Sequence, residues 1–121
     1  MIRVKRVYDP PARSDGERIL VDRLWPRGIT KGEARIDAWR RDIAPTGPLR
    51  QWFSHDPRKW DAFRARYRGE LEAAGMGDAL GAIARRARSG TVTLLYAARD
   101  ATHNNAVALK EILEGLDRAA R

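Results

Sequence analysis

Along this chain the apolar positions fall into short runs and helical stripes, separated by residues that turn the backbone. "IRVKRVY" (2–8) alternates apolar and basic positions and predicts a strand with Ile2 and Val4 on one face. "YDPPARSDGE" (8–17) reads as a loop, broken by Pro10, Pro11 and the Asp15-Gly16 turn signal. "RILVDRL" (18–24) predicts a second strand, and its uninterrupted run Ile19–Val21 implies burial on both faces. Residues 30–48 are ambiguous: Thr30 with Glu33 fits a capping box, while Pro45 and Pro48 limit any helix to short pieces.

"HDPRKWDAFRARYRGELEAAG" (55–75) is the clearest helix. Asp56 suits the N-cap, Pro57 the first turn, and Trp60, Phe63, Tyr67 and Leu71 make one apolar stripe closed by Gly75 or Gly77. A second helix follows over 78–90, ended by Gly90, then a strand "TVTLLYAA" (91–98). A last helix spans 102–120, with Thr102 as its expected cap. Strands separated by helices predict a single α/β domain over residues 1–121, with a small, largely parallel sheet flanked by helices. Ligands of such sheets bind beyond the carboxyl ends of the strands. If strands 18–24 and 91–98 run parallel, "DRLWPRG" and "YAARDATHNN" leave the same edge and face one another.

Composition narrows the class. The chain has 121 residues with 43% hydrophobic and 33% charged positions, enough for one core and typical of a globular protein. No apolar run is long enough to span a membrane, and the start lacks the pattern of a secretory signal, so a cytoplasmic protein without membrane partners is expected. Cysteine is absent, which excludes disulfides, thiolate metal sites and a cysteine nucleophile. The net charge of +8 is carried by residues 1–68, with 17 Lys+Arg against 9 Asp+Glu; the remainder is neutral. Twenty of the 24 basic residues are arginine, the planar fork suited to phosphate and carboxylate, although a GC-rich coding bias also produces such an excess.

"IRVKRVYDP", "DGERILVDRLWPRGITKGEA", "DIAP", "WFSHDPRKWDAFRARY" and "TLLYAARDATHNNAVALKEIL" together resemble the domain-of-unknown-function 488 (DUF488) family, in its YeaO-like branch, from about residue 1 to residue 115. The resemblance implies a compact α/β domain and brings no established activity with it. The wider family often ends its last strand "LLCAE…CHR". Here Tyr96 stands in the place of that cysteine, so any thiol chemistry possible elsewhere in the family is excluded in this sequence.

The residues that could carry chemistry gather at the two facing segments. Asp22 is a candidate base or arginine orienter, or else a carboxylate that caps backbone N–H groups. Arg23 stands beside it. Trp25 with Pro26 either offers a stacking face or covers a core edge and fixes the loop for its arginines. Arg27 precedes Gly28, a residue that tolerates the backbone turns needed close to a ligand. His55 follows "WFS" and suits acid–base work near neutral pH. Tyr96 is a core residue or a hydroxyl donor. Arg99, Asp100, His103, Asn104 and Asn105 surround a predicted helix N-terminus, where free N–H groups and the dipole favour anions. Asp22, His55, Tyr96 and His103 are thus the catalytic candidates; Arg23, Trp25, Arg27, Arg99, Asp100, Asn104 and Asn105 are the ligand-binding ones. Two histidines without close spacing do not predict a metal site. Neither a phosphate-binding G-x-x-x-x-G-K-[ST] loop nor G-x-G-x-x-G occurs, and no cofactor is predicted.

Three readings follow. One is a pocket for a small anion or nucleotide, with or without catalysis on a phosphate- or carboxylate-bearing substrate. Another is a basic nucleic-acid-binding module that sets Arg64, Arg66 and Arg68 on phosphates. The third is a non-catalytic interaction or regulatory domain. The sequence does not specify an oligomeric state.

Overall fold

The apolar runs become strands that end sooner than the hydrophobic pattern does. In the computed structural model, which describes residues 1–120, β1 covers Ile2–Arg6, β2 Glu17–Leu20, β3 Ala38–Trp39 and β4 Val92–Tyr96. Arg121, the last residue of the expected domain and one of the counted cations, lies outside the described residues. The four strands form one sheet in the order β1-β4-β2-β3, and every pairing is parallel. The segments 2–8, 18–24 and 91–98 each run past the ends of the strands they predict, and β2 starts one residue earlier, at Glu17. Val21, one residue past β2, stays buried and still donates its N–H to the Leu95 carbonyl of β4 at 3.1 Å, and the apolar run goes no further.

β4 lies between β1 and β2, and all five of its residues are buried. A strand covered on both faces reads as a continuous apolar run, which is what "VTLLY" displays. Its polar member, Thr93, donates its hydroxyl to the Asp15 carbonyl at 2.6 Å.

Among the described residues five α-helices complete the domain: α1 Lys31–Ala34, α2 Gly47–Phe53, α3 Trp60–Ala73, α4 Gly77–Ser89 and α5 Asn105–Ala120. The starts of α1 to α3 follow from their caps. Thr30 and Glu33 form the expected capping box of α1. Thr46 caps α2, with a proline in its first turn. Asp56 accepts from the Arg58 N–H and opens the single turn Pro57–Lys59 that runs into α3. Gly75, at φ +70°, permits the left-handed turn that ends α3. The start of α5 corrects the expectation. Asn104, not Thr102, caps the helix, its Oδ1 accepting from the Val107 N–H at 3.0 Å.

The sheet has two unlike faces. Phe63, Tyr67 and Leu71 of α3, Leu80 and Ile83 of α4, and Leu109 and Leu113 of α5 pack against Ile19, Val21, Val92 and Leu94. The opposite face, with Val7, Leu20 and Leu95, is covered by Ala34 and by Trp25, Ile29, Ile36 and Trp39, which come from the loops between β2 and β3 and from β3 itself. That same face holds an ionic cluster. Asp15, 1% exposed, accepts from Lys5 Nζ at 3.1 Å, from the Ala12 N–H at 3.0 Å and from Arg18. Gly16 follows at φ +62°, so close to Thr91 that a Cβ would stand 2.1 Å from its carbonyl oxygen.

Candidate functional site

β1, β2 and β4 run parallel and stop at one edge, so the segments that leave them gather there. They enclose a cleft of about 1020 Å³, closed on its remaining side by α2 and the junction that leads to α3. The facing of "DRLWPRG" and "YAARDATHNN" expected from the sequence is realised.

The loop after β2 is held by its aromatic residues. Trp25 donates from Nε1 to the Ile29 carbonyl at 2.8 Å and meets Trp39 edge-on at 5.4 Å. Trp39 in turn donates to the Asp22 carbonyl at 2.8 Å, and Pro26 is buried. Trp25 therefore covers a core edge while lining the cleft. Gly28, at φ +75° with no neighbour near its Cβ position, supplies the backbone turn, and Arg27 just before it is exposed. Tyr8, beyond β1, donates its hydroxyl to the Arg27 carbonyl at 2.8 Å.

Asp22 joins the strand ends. One carboxylate oxygen accepts from the Ala97 N–H and the other from Asn105 Nδ2, each at 3.0 Å; Asn105 also donates to the Val21 carbonyl at 2.9 Å. Burial pushes the Asp22 carboxyl up, against those hydrogen bonds and the charges of Arg50 and His55. The side chain thus links the ends of β2 and β4 to the first residue of α5.

Beyond β4, Asp100 organises the approach to α5. Its carboxylate accepts from the N–H groups of Thr102 and His103 and from the Thr102 hydroxyl, and lies 3.0 Å from His103 Nδ1. The two N–H bonds hold its carboxyl well below the usual carboxylate range, burial opposing and His103 assisting. Asn104 and Asn105 line the cleft beside it, with Arg99 exposed at the rim. Two sequence candidates do not reach the cleft. His103 turns its ring edge-on to Trp60 at 5.4 Å. Tyr96 is 3% exposed within the core, where burial raises its hydroxyl pKa.

His55 enters from the opposite side. Ser54 and His55 both have positive φ, 45° and 56°, a conformation that L-residues adopt at a cost of about 1–3 kcal/mol. That double turn ends α2, restarts the chain at Asp56, and leaves His55 exposed on the cleft wall. Arg50, one turn earlier on α2, lines the same wall.

Five arginines stand around two carboxylates, Asp22 and Asp100. They divide by commitment. Arg6 donates to the carbonyls of Ala98 and Ala97 at 2.9 and 3.0 Å, and Arg23 to Pro45 at 2.8 Å. The side chains of Arg27, Arg50 and Arg99 have no acceptor among the described residues. Arg6, Tyr8 and Arg50 escaped the sequence reading. Arg6 ends β1 and Tyr8 follows it, so the carboxyl-edge rule would have found them; nothing in the sequence aims α2 at the cleft. Elsewhere, Arg64 is tied to Asp61 and Glu111, and Arg66 stacks over Trp52 at 3.9 Å. No helix of the described residues is long and apolar enough to cross a membrane.

Residues 1–120 match the family described as the inactive DUF488-N3 subclade. The chain is 43% identical over 116 residues to the uncharacterised protein YeaO of Escherichia coli K12, covering 95% of this chain and 98% of that one. It is 38% identical over 114 residues to an uncharacterised protein of Mycobacterium tuberculosis H37Rv and to one of Mycobacterium bovis, covering 94% of each chain. No solved structure matches it. The family resemblance carried by the motifs is borne out.

Proposed function

Because the chain belongs to the inactive DUF488-N3 subclade, we propose that it binds a small phosphate- or carboxylate-bearing molecule in this cleft without transforming it. The observation that carries this reading is the division among the cleft arginines. Arg6 and Arg23 use their donors to fix the walls, whereas Arg27, Arg50 and Arg99 retain theirs for a ligand. A guanidinium holds five donors in a planar fork, and its bonds to an oxyanion are among the strong ones. His55 adds a further donor from a backbone held in an unfavourable conformation. Asn104 and Asn105 bring the positive end of the α5 dipole to the same space.

Binding is preferred to turnover on chemical grounds. The chain has no cysteine. Asp22 accepts with both oxygens, neither Tyr96 nor His103 lines the cleft, and the lining offers His55 no serine, threonine or cysteine to activate. The family's description as inactive agrees with this.

A thermal-shift series tests the proposal, with inorganic phosphate, acetate and a short oligonucleotide at low and high salt. A ligand at about 100 times its Kd stabilises by about 2.7 kcal/mol, a shift on the order of 5–10 °C for this chain length. A shift with a small anion that Arg27→Ala abolishes supports the cleft. Stabilisation by oligonucleotide alone, lost at high salt, replaces it with the nucleic-acid reading. No shift with any of them leaves the interaction-domain reading.

A further inference from the structure

Charge and apolar surface together narrow the ligand, and we infer that the cleft is built for a phosphate monoester carrying a flat apolar group. The inference rests on the anion-binding reading above and adds to it the class of anion and the nature of what it is attached to.

Three uncommitted guanidinium groups line one cleft, and the lining holds five arginines against two carboxylates. A single carboxylate would leave most of that charge unbalanced. A phosphate monoester carries close to two negative charges above neutral pH and offers three acceptor oxygens, a better match for three separate forks.

Uncharged side chains line the same cleft. Among the described residues, the exposed large hydrophobics are Met1, Tyr8, Leu24 and Leu116, and two of these four line the cleft. Leu24 is 57% exposed, on the loop that Trp25 and Pro26 anchor to the core. Tyr8 is fixed at both ends: its hydroxyl bonds the Arg27 carbonyl at 2.8 Å, and the Arg6 guanidinium lies 4.9 Å from its ring centre. Across from them Phe53 reaches the cleft surface from α2. Apolar side chains held in water by a fixed loop, next to unpaired cations, suit an amphipathic ligand.

Size agrees. The cleft, at about 1020 Å³, stands at the upper end of the roughly 300–1,000 Å³ usual for small-molecule sites. A bare phosphate ion would leave it mostly filled with water.

Isothermal titration of the full chain, slightly above neutral pH, with phenyl phosphate, inorganic phosphate and benzoate tests the inference. Phenyl phosphate is expected to bind about tenfold more tightly than either of the others, the ring and the second charge each adding about one decade. Leu24→Ala, a change at an exposed position, is expected to weaken phenyl phosphate severalfold, leave inorganic phosphate unchanged and preserve the melting temperature. Benzoate binding as tightly as phenyl phosphate overturns the choice of phosphate while the anion-binding reading stands. Inorganic phosphate binding as tightly as phenyl phosphate, or a Leu24→Ala variant that weakens both equally, overturns the apolar part. If none of the three binds, the anion-binding reading falls with it.

Discussion

The division of the cleft arginines predicts that substitutions of one residue type will separate into two phenotypes. Arg23 donates to the Pro45 carbonyl at 2.8 Å and more weakly to Ala44 at 3.4 Å, and both residues are buried. Arg23→Ala strands those carbonyls, a loss of about 1–3 kcal/mol for a buried group left without its partner. For a chain of this length that lowers the melting temperature by on the order of 4–12 °C. Arg27 is exposed and its side chain bonds nothing in the described residues. Arg27→Ala should therefore change stability by less than about 0.5 kcal/mol. Its cost is expected in binding. A charge-assisted hydrogen bond lost from the complex removes about 1.5–3 kcal/mol, or roughly a 10- to 150-fold rise in Kd. Thermal denaturation of both variants, followed by calorimetric titration of inorganic phosphate into Arg27→Ala and the parent chain, reads both quantities. An Arg27→Ala protein that melts as early as Arg23→Ala makes Arg27 a structural residue. One that binds phosphate as the parent does removes it from the site. Either result refutes the division.

Other positions yield expectations of the same kind. Asp15→Ala should cost about 3–5 kcal/mol, because it leaves the buried Arg18 without its ionic partner. The Asp15 carboxyl sits below its ordinary value, its hydrogen bonds outweighing the burial that opposes them. Its contribution is therefore complete above the unfolded carboxylate pKa, about 3.9, and fades as pH falls below that. Acid unfolding monitored by circular dichroism should show the parent losing stability over this range while Asp15→Ala changes less. Asn104→Ala should destabilise by about 1 kcal/mol as a lost helix cap, and Thr102→Ala by clearly less, as chemical denaturation will show; equal losses would contradict the cap assignment. His55→Gly removes an L-residue from φ 56°. It should hold or raise the melting temperature by a few degrees while weakening phosphate binding, and a marked loss of stability would show that the ring itself supports the fold.

The sequence announced much of this architecture through local physics. The stripe Trp60, Phe63, Tyr67 and Leu71 needs only the helical period, and Asp56-Pro57 needs only capping chemistry. The run Ile19–Val21 announced a strand covered on both sides, which is what parallel pairing with β4 and β3 requires. β3 was beyond reach because two residues carry no periodicity; Ala38 and Trp39 form a strand only because β2 offers them a ladder. The start of α5 is ambiguous in the sequence for another reason. Asp100, Thr102, Asn104 and Asn105 are all capable of capping, and the path of the chain after β4, which local propensity does not encode, decides among them.

The candidate site was legible where a topological rule applied. Asp22, Arg23, Trp25, Arg27, Arg99, Asp100, Asn104 and Asn105 all line the cleft because strand ends gather there. His55 follows "WFS" with no periodicity that places it in a helix or strand, and its left-handed backbone accounts for that. Arg50 lies on a seven-residue helix whose direction depends on tertiary contacts such as Thr46 with Glu70. Tyr96 could not be assigned to either side from the strand pattern, because both faces of β4 are buried.

The central claim, that an anion binds between the strand ends, is tested most directly by titrating inorganic phosphate into isotopically labelled protein and following the amide resonances. Saturable shifts centred on Arg27, Gly28, Arg50, His55 and Arg99, and absent from Arg64–Arg68 on α3, are the predicted result. Shifts confined to α3, or none at phosphate concentrations well above physiological, would contradict it.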